Sequence, residues 1–311
     1  MPNDIFLLAH VSDVHLAPMP RFPVAELTVK RALGGANWLR NRRHVHVRAV
    51  LDMLVADLKA QKPAHIAVTG DLVNLGLPGE HAAALTWLES LGSPDHVTAI
   101  PGNHDAYGRP AGKAGYRRWQ SYMQGDDAST LAGAAGDASG FPFVRRIGPI
   151  ALIGLGSGVP TRPFVSAGVL GARQLAGLAQ LLGETKQQGL LRVIAIHHPP
   201  HRYREETRSG LRDAGPFGDV LRRAGADLVL HGHFHRPELR WLDGPASPIP
   251  VVGVPSASAA IRHKEGELAG YNLYAIRRLA GGNFRIDMIR RGLTEPGGAI
   301  VELERIVLAR G

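Results

Sequence analysis

The chain has 311 residues, of which 44% are hydrophobic and 20% are charged, and it carries a formal net charge of +9 and no cysteine. This size and composition allow a substantial core in one large domain or two smaller ones, and the missing cysteines exclude disulfides and thiolate metal sites. The positive balance favours an anionic partner such as a phosphorylated substrate, although a basic solvated surface explains the charge equally well.

The sequence contains no apolar run of transmembrane length, and its first residues lack a basic segment followed by an apolar one. We therefore expect a cytoplasmic protein without a transmembrane segment. The basic residues are dispersed and no nucleic-acid-binding module accompanies them, so nucleic acid is not an expected partner.

Predicted strands and helices alternate in the first half of the chain, which is typical of βαβ units. Each predicted strand there ends in a short polar motif, and ligands bind at the carboxyl ends of strands in open α/β sheets. The predicted strands span 5–11, 66–69 and 97–100, and the predicted helices span 45–59 and 80–91.

The second half begins with the same alternation and then changes. The later segments follow one another as strands without helices between them, so a pair of mixed sheets is favoured over a single parallel sheet. The predicted strands span 150–155, 193–196, 228–230, 239–242, 249–254, 272–276 and 284–289, and a helix is predicted at 172–182.

An insertion at about 18–46 separates the first strand from the first long helix within what we expect to be one domain spanning 1–311. It mixes basic residues with Leu33, Trp38 and Leu39. It could form a cap-like lid near the motifs or face a lipid-linked phosphate. A basic surface helix without a functional partner is the alternative.

Two motifs place carboxylates after the first two strands. Asp13 and His15 are two residues apart, so in a strand both side chains would point to one side and could hold one metal ion. The two oxygens of Asp71 could bridge two cations about 3.5–4 Å apart. Taken alone, the first motif could be a loop aspartate beside a surface histidine, and Asp71 could be a helix cap or turn residue.

A more specific motif follows the third strand. The amide oxygen of Asn103 is a neutral metal ligand, and His104 could lie beside the metals as an acid that protonates a leaving oxygen. We expect Asp105 to accept a hydrogen bond from the His104 ring, which would fix its tautomer and raise its pKa. A simple Asn-His turn after a strand is the alternative.

Histidines at the ends of two later strands complete the predicted site. His197 is the expected ligand, and its neighbour His198 contacts substrate or supports the ligands. His233 and His235 repeat the two-residue spacing and would provide one imidazole for each metal. His231, one step nearer the core, is expected to be structural.

The ordered set of these motifs, spanning about residues 5–290, resembles the calcineurin-like metallophosphoesterase superfamily. Among its members the chain is most similar to class III cyclic nucleotide phosphodiesterases and related bacterial phosphodiesterases. The resemblance implies an α/β (α+β) fold, a four-layer αββα sandwich of two mixed β-sheets flanked by helices. It also implies one metal held by Asp13, His15, Asp71 and His235, a second held by Asp71, Asn103, His197 and His233, and, by family analogy, a homodimer.

The expected function is hydrolysis of a small phosphodiester, such as a cyclic nucleotide, by hydroxide bridging two divalent metal ions (Mn, Fe or Zn). Asn103, His104 and His198 would contact the substrate, with His104 and Asp105 as catalytic residues. The alternative is a phosphatase or pyrophosphatase for a lipid-linked or nucleotide-sugar substrate, for which arginines of the 202–212 loop could supply positive charge. A non-catalytic scaffold of the same fold is the third hypothesis.

Overall fold

The computed structural model describes residues 5–20, 26–107, 115–126, 140–201 and 206–310. Two six-stranded sheets form from these residues. The strands are β1 (Phe6–Val11), β2 (His65–Val68), β3 (Val97–Ala99), β4 (Phe143–Ile147), β5 (Ile150–Gly154), β6 (Leu191–Ala195), β7 (Leu228–His231), β8 (Glu238–Leu242), β9 (Ile249–Gly253), β10 (Gly270–Arg278), β11 (Phe284–Leu293) and β12 (Ile300–Arg310).

Helices connect the parallel strands and flank both sheets. The α-helices are α1 (Val29–Asn37), α2 (Arg43–Val45), α3 (Arg48–Ala60), α4 (Pro78–Leu91), α5 (Gly171–Gln187), α6 (Glu206–Ser209) and α7 (Ala214–Ala224). A π-helical turn, Trp38–Arg42, joins α1 to α2, and a 3₁₀ segment spans Gly115–Met123.

Both sheets are mixed, as the strand pattern predicts. The first has the order β12-β11-β10-β1-β2-β3, in which β1, β2 and β3 run parallel and β10 pairs antiparallel with β1. The second has the order β4-β5-β6-β7-β9-β8, with four parallel strands between antiparallel edge strands. Two adjacent parallel strands must be joined by a crossover connection, which is usually a helix.

Alternating side chains along β5 show how the layers stack. Leu152 points into the core shared with the first sheet, where it joins Leu8 and Leu273. Its neighbour Ile153 points the other way, into a second core with residues of α5 and α7 such as Phe217. Because successive side chains of a strand face opposite sides, one buried strand serves both cores. The predicted four-layer αββα sandwich of two mixed sheets flanked by helices is confirmed.

Some elements differ from the sequence prediction. The edge strands β4 and β12 and helix α7 were not predicted, and α5 continues five residues past the predicted end at 182. Half-exposed side chains such as Val301 and Leu303 weaken the apolar pattern of β12, an edge strand that pairs with β11. An edge strand with such mixed exposure lacks the continuous apolar run from which the other strands were predicted.

The described part of the predicted 18–46 insertion is mostly helical, from Val29 through the π-helical turn to Val45. The Thr28 side chain caps α1 by accepting a hydrogen bond from the Arg31 amide at 3.2 Å. Residues 21–25 of the insertion lie outside the described residues. Among the described helices, none has both the length and the apolar character needed to cross a bilayer.

Candidate dinuclear metal site

The sequence motifs converge where the carboxyl ends of strands from both sheets meet. Three motifs follow β1, β2 and β3 of the first sheet, and two follow β6 and β7 of the second. The structure brings together all seven predicted metal ligands: Asp13, His15, Asp71, Asn103, His197, His233 and His235. Five chain segments far apart in sequence therefore supply one site.

The backbone at the site lies in the left-handed region at five of these positions. The φ angles are 53° at Asp13, 42° at His15, 55° at Asp71, 76° at His233 and 54° at His235. Such conformations cost a non-glycine residue on the order of 1–3 kcal/mol and are found mainly where function needs them. The site is therefore built on strained turns that the surrounding sheets hold in place.

These turns correct one expectation. Asp13/His15 and His233/His235 were expected to share a face through the two-residue repeat of a strand. Instead β1 ends at Val11 and β7 ends at His231, so both pairs lie beyond their strands. The left-handed turns, not the strand repeat, bring the paired side chains to the same place.

The first half-site consists of Asp13, His15 and His235. The Nε2 atoms of His15 and His235 are 3.2 Å apart, and Asp13 Oδ1 is 3.1 Å from Nε2 of His235. Asp13 Oδ1 is buried and accepts no hydrogen bond from the described residues. Two imidazole nitrogens and a bare carboxylate oxygen facing one another are the ligand geometry that a divalent cation satisfies.

The second half-site consists of Asn103, His197 and His233. Nε2 of His197 is 3.2 Å from Oδ1 of Asn103, and the His197 and His233 rings are 5.2 Å apart. The His233 amide also donates to Oδ2 of Asp13 at 2.9 Å, which ties this half-site to the first. An amide oxygen and two imidazoles again form a mixed oxygen and nitrogen ligand set.

Asp71 lies between the two half-sites. Its Oδ2 is 3.4 Å from Nε2 of His197 and 3.9 Å from Nε2 of His15. Its other oxygen, Oδ1, accepts a hydrogen bond from the His104 amide, so Oδ2 is the oxygen that faces imidazoles of both half-sites. The placement of Asp71 fits the bridging role that the sequence suggested.

Carbonyl groups orient two of the imidazoles. His15 Nδ1 donates to the Val73 carbonyl at 3.1 Å, and His197 Nδ1 donates to the Thr69 carbonyl at 2.7 Å. With Nδ1 as the donor to a carbonyl, Nε2 is in each ring the atom that faces the site and can bind a metal ion. Such outer contacts fix the tautomer needed by a metal ligand.

Two glycines of the motifs are required by close packing. A Cβ at Gly102 would lie 2.1 Å from Oδ1 of Asp71, and a Cβ at Gly232 would lie 2.4 Å from Oδ2 of Asp13. Any larger residue would displace a carboxylate of the site. The glycine before Asn103 and the one before His233 therefore allow the backbone to approach the ligands.

The charges at the site are mutually dependent. Burial alone would raise the pKa of Asp71, but His197 and His104 hold it well below its usual range. Burial opposes the charged form of His197 as well, yet Asp71 raises the pKa of this histidine to about 9. Burial and the positive charge of Arg42 lower the pKa of His15 well below its usual value. His197 and His15, one in each half-site, therefore differ in protonation state.

His104 sits beside the half-sites, but its contacts correct the expected partnership with Asp105. Its ring Nδ1 donates to the Asn74 carbonyl, and its Nε2 accepts a hydrogen bond from Arg42 at 3.0 Å. Its backbone amide donates to Oδ1 of Asp71 at 2.7 Å. Burial and then Arg42 lower the pKa of His104 to about 4, whereas the sequence analysis predicted a raised value.

Asp105 binds backbone groups instead of an imidazole. Its carboxylate accepts hydrogen bonds from the amides of Asp71 and Gly102, each at 2.8 Å, and from the amides of Leu72 and Val73 at 2.9 and 3.2 Å. These amides belong to the turns after β2 and β3. Asp105 therefore fixes those two turns relative to each other, and its expected hydrogen bond to the His104 ring is wrong.

His198 does not face the cavity as a substrate contact. Ser157 Oγ lies 2.8 Å from its Nδ1, and its Nε2 donates to the Ser166 carbonyl at 2.8 Å. Both ring nitrogens are thus occupied, and the fully buried ring packs 4.7 Å from that of His233. The sequence analysis offered two roles for His198, substrate contact or support of a ligand. These contacts fit support of a ligand and do not fit substrate contact.

Arg42 and His46, both from the 18–46 insertion, were not predicted as site residues. Arg42 donates to Nε2 of His104 and, at 3.3 Å, to Nε2 of His15. The His46 ring lies 4.5 Å from that of His15, and its Nδ1 is 2.9 Å from Ser258 Oγ. The sequence contained one indication that His46 belongs to the site, because His44 and His46 have the same spacing as His233 and His235.

A cavity of about 500 Å³ opens beside the two half-sites. The insertion forms part of its wall, as do the turn after β7 and residues 261–267. Its lining includes Arg42, His46, Asn103, His104, His233 and His235. Of the predicted arginine cluster, Arg202 and Arg204 lie outside the described residues, while the side chains of Arg208 and Arg212 are exposed.

The donor set fits divalent metal ions. Four groups of three side chains have ligand atoms within 4.8 Å of one another. They are His15 with His46 and His235, His15 with Asp71 and His104, Asp13 with Asp71 and His197, and His197 with His198 and His233. Without thiolates, and with several imidazoles beside carboxylate and amide oxygens, the set suits Mn, Fe or Zn better than Mg alone.

Known proteins share this sequence pattern and this fold. The family model described as "Calcineurin-like phosphoesterase" matches residues 6–237. A Rhodococcus erythropolis protein named "Probable cyclic nucleotide phosphodiesterase" is 27% identical over 238 residues, 75% of this chain and 66% of that protein. A similarly named Synechococcus protein is 30% identical over 183 residues, 58% of this chain and 61% of that protein. The matches thus span less than two thirds of either relative.

Solved structures support the fold at low sequence identity. A dimetal phosphatase from Danio rerio superposes with a TM-score of 0.62 at 15% identity, covering 98% of this chain and 99% of that one. A purple acid phosphatase from yellow lupin seeds superposes with a TM-score of 0.58 at 9% identity, covering 98% of this chain and 54% of that one.

Proposed function

The chain belongs to the calcineurin-like phosphoesterase family, and on that premise we propose that it is a metal-dependent phosphoric ester hydrolase, specifically a phosphodiesterase for a small phosphodiester such as a cyclic nucleotide. The observation that carries the proposal is the Asp71 carboxylate between two clusters of imidazoles. The family is dimetal-dependent, and this arrangement would provide ligands for two ions.

Two divalent cations would supply Lewis acidity and a nucleophilic water to the phosphorus centre. Asp13, His15 and His235 would hold one ion, Asn103, His197 and His233 the other, with Asp71 shared. Asp105 would keep the turns after β2 and β3 in place through its four amide contacts. His198 would support the ring of His233.

His104 is the proposed acid. Its Nδ1 donates to the Asn74 carbonyl, so Nε2 is the ring atom that would pass a proton to the leaving oxygen, once Nε2 is protonated and no longer accepts the hydrogen bond from Arg42. That nitrogen is the one Arg42 contacts from the cavity side. Asn103 and His104 are the proposed substrate contacts, because both line the cavity beside the ligands.

The curated relatives support a phosphodiester as the substrate, since both carry cyclic nucleotide phosphodiesterase in their names. Arg42 favours a second candidate, a phosphatase or pyrophosphatase acting on a lipid-linked or nucleotide-sugar substrate. A guanidinium inside the cavity can bind an additional phosphate charge that a simple diester lacks.

Cellular context and assembly are part of the same proposal. We infer one domain over 1–311 with residues 18–46 as a cap, a view supported by Arg42 and His46 reaching the site from that segment. A cytoplasmic location and a homodimer are proposed with it. Scaffold function is disfavoured because every predicted ligand is present at the site.

The deciding experiment compares substrates on protein loaded with Mn²⁺. We expect bis-p-nitrophenyl phosphate and a cyclic nucleotide to be hydrolysed faster than p-nitrophenyl phosphate and a nucleotide sugar. A preference for the monoester or the nucleotide sugar would favour the second candidate. No turnover of any substrate by protein that has bound two equivalents of Mn²⁺ would instead support a scaffold.

A further inference from the structure

The helical segment 29–45 is amphipathic in the opposite sense to an ordinary surface helix. Its partly buried side chains include the basic Lys30, Arg31 and Arg42, whereas most of its apolar side chains face solvent, with Val45 buried and Trp38 half-buried as the exceptions. The exposed apolar positions are Val29, Ala32, Leu33, Ala36 and Leu39, which we call the outer face. Val29 is 74%, Leu33 44% and Leu39 54% exposed. An ordinary surface helix buries such a stripe against the core.

The inward side is held by specific contacts, so the orientation of the helix is fixed. Lys30 Nζ donates to the Thr161 carbonyl at 3.0 Å, and Arg31 donates to the Gly76 carbonyl at 2.8 Å. Gly34 packs so tightly that a Cβ there would lie 2.5 Å from Oη of Tyr107. Arg42 reaches His104 from the same side. Turning the outer face inward would break all of these contacts.

A second apolar group lies next to this helix. Phe164 is 87% exposed and has a φ of 63°, a conformation that is uncommon for an aromatic residue. It belongs to the loop that contacts α1 through Lys30 and Thr161. Ile261, which is 40% exposed, lies on the wall of the cavity. Phe164 and Ile261 thus add two exposed apolar side chains, one beside α1 and one on the cavity wall.

The charges near the outer face indicate the chemistry of its partner. Between positions 27 and 46 the sequence contains five lysine and arginine residues and no aspartate or glutamate. Arg40, Arg43 and His44 are exposed at the carboxyl end of the segment. Apolar side chains beside exposed cations match a surface that is apolar inside and anionic outside, which describes an anionic lipid bilayer.

A second copy of the chain is a poor fit to this face. In a symmetric dimer the same patch meets itself, which would bring Arg40 and Arg43 of both copies together without acidic partners from this segment. We propose that the outer face and Phe164 dock on the surface of an anionic lipid bilayer. The cavity would then open towards phosphoesters carried at that surface, a consequence that rests on the proposed function.

Vesicle binding tests the docking step without any catalytic readout. The full-length protein is sedimented with vesicles of phosphatidylcholine alone and with vesicles containing one third phosphatidylglycerol. We expect binding to the anionic vesicles that is at least about tenfold stronger and weakens with added salt. The L33S/L39S variant should lose about tenfold in that binding.

A matched control separates the outer face from general surface hydrophobicity. Leu279 and Val301 are exposed to a similar extent, 38% and 40%, and lie in the turn between β10 and β11 and on β12, outside the site motifs. The L279S/V301S variant should bind anionic vesicles like the wild type. Absence of wild-type binding to anionic vesicles, or equal losses in the two variants, would overturn the docking proposal. The proposal would also be overturned if light scattering showed that the wild type is a dimer and that the L33S/L39S variant is a monomer.

Activity distinguishes failure of docking from failure of the proposed function. L33S/L39S should hydrolyse soluble bis-p-nitrophenyl phosphate at the wild-type rate, because neither leucine contacts the metal ligands. Its rate on a vesicle-borne phosphodiester lipid should fall about as much as its vesicle binding. If wild-type protein binds anionic vesicles but hydrolyses neither substrate, docking stands and the proposed function fails. If the lipid rate is unchanged in L33S/L39S, the link between docking and substrate is wrong.

Discussion

The two half-sites have similar ligands but different surroundings. The second half-site is enclosed by the sheets: the Thr69 carbonyl holds His197, and the buried His198, held by Ser157 and Ser166, supports His233. The first half-site is bordered by Arg42 and His46, which come from a helical segment outside both sheets. The sheet scaffold thus completes one half-site, whereas the other also depends on the insertion.

This difference predicts that the two surroundings have different roles, one in metal binding and the other in substrate binding. Groups fixed by sheet-end turns are preorganised to bind metal, because their partners are backbone carbonyls and buried hydroxyls that cannot easily move. A guanidinium on an inserted helix can instead contact a ligand in the cavity as well as the imidazoles that it touches here. The scaffold side should therefore govern metal retention, and the insertion side should govern substrate.

The largest effect is expected at the residue shared by both half-sites. Asp71→Asn removes the charge between His15 and His197 and should reduce activity on the order of 10³-fold or more, with loss of both metals. Mass spectrometry gives the metal content of the variant, and an activity assay gives the loss of turnover. Asp52→Asn, which alters only an exposed ion pair with Arg48, is the control. Retention of two metals by D71N would remove its bridging role.

His104→Gln tests whether a group beside both half-sites acts in proton transfer. We expect turnover to fall about 10²–10⁴-fold while both metals are retained. The loss should be larger for an alkyl leaving group than for p-nitrophenolate, which needs no protonation. An equal loss for the two leaving groups would contradict the role as an acid, and loss of metal would show that His104 is structural.

Arg42→Gln tests the insertion side. Removing a charge-assisted contact should raise KM about 10–100-fold, more for a phosphomonoester than for a diester, and leave metal affinity nearly unchanged. The matched control is Arg43→Gln, because Arg43 is exposed and contacts only the neighbouring His44 among its described hydrogen-bond partners. A loss of metal without a change in KM would reverse the proposed roles of the two surroundings.

A pair of histidine variants compares the two surroundings directly. His198→Gln should weaken metal binding at the second half-site about 10–100-fold, since it supports a ligand. His46→Gln should weaken the first half-site less, by about tenfold, because the sheet-end turns still hold His15 and His235. Competition with a metal-sensitive dye gives both affinities. A larger loss in H46Q than in H198Q would show that the insertion is the main support for metal.

The smallest effect is a difference in pH dependence between the half-sites. Because Asp71 raises the pKa of His197 to about 9, the metal-free second half-site holds a proton at pH 7 that a cation must displace. Its affinity should therefore rise about tenfold per pH unit up to about pH 9. The pKa of His15 is lowered, so His15 releases no proton there. Titration calorimetry in buffers of different ionisation enthalpy measures the number of protons released when each metal ion binds. Equal proton release at the two half-sites would contradict the predicted difference.

Sequence patterns predicted the fold and the residues that meet at the candidate site better than they predicted the contacts of those residues. The alternation of apolar runs predicted most strands to within a few residues, and the motifs after them contain all seven residues that meet at the site. The partners of Asp105 and His198 were not predictable, because backbone amides, carbonyls and serine hydroxyls carry no signature in the chain.

The sequence by itself determined which chemical groups are available: carboxylates, imidazoles and an amide placed after apolar strands, with no thiolate among them. Only the tertiary structure decided which of these groups face one another, because left-handed turns such as those at Asp13 and His233 set their directions. It also decided that Arg42 points into the cavity while Leu33 and Leu39 point to solvent. The orientation of a helix depends on the contacts of its inward side with distant segments, and those contacts exist only once the chain has folded.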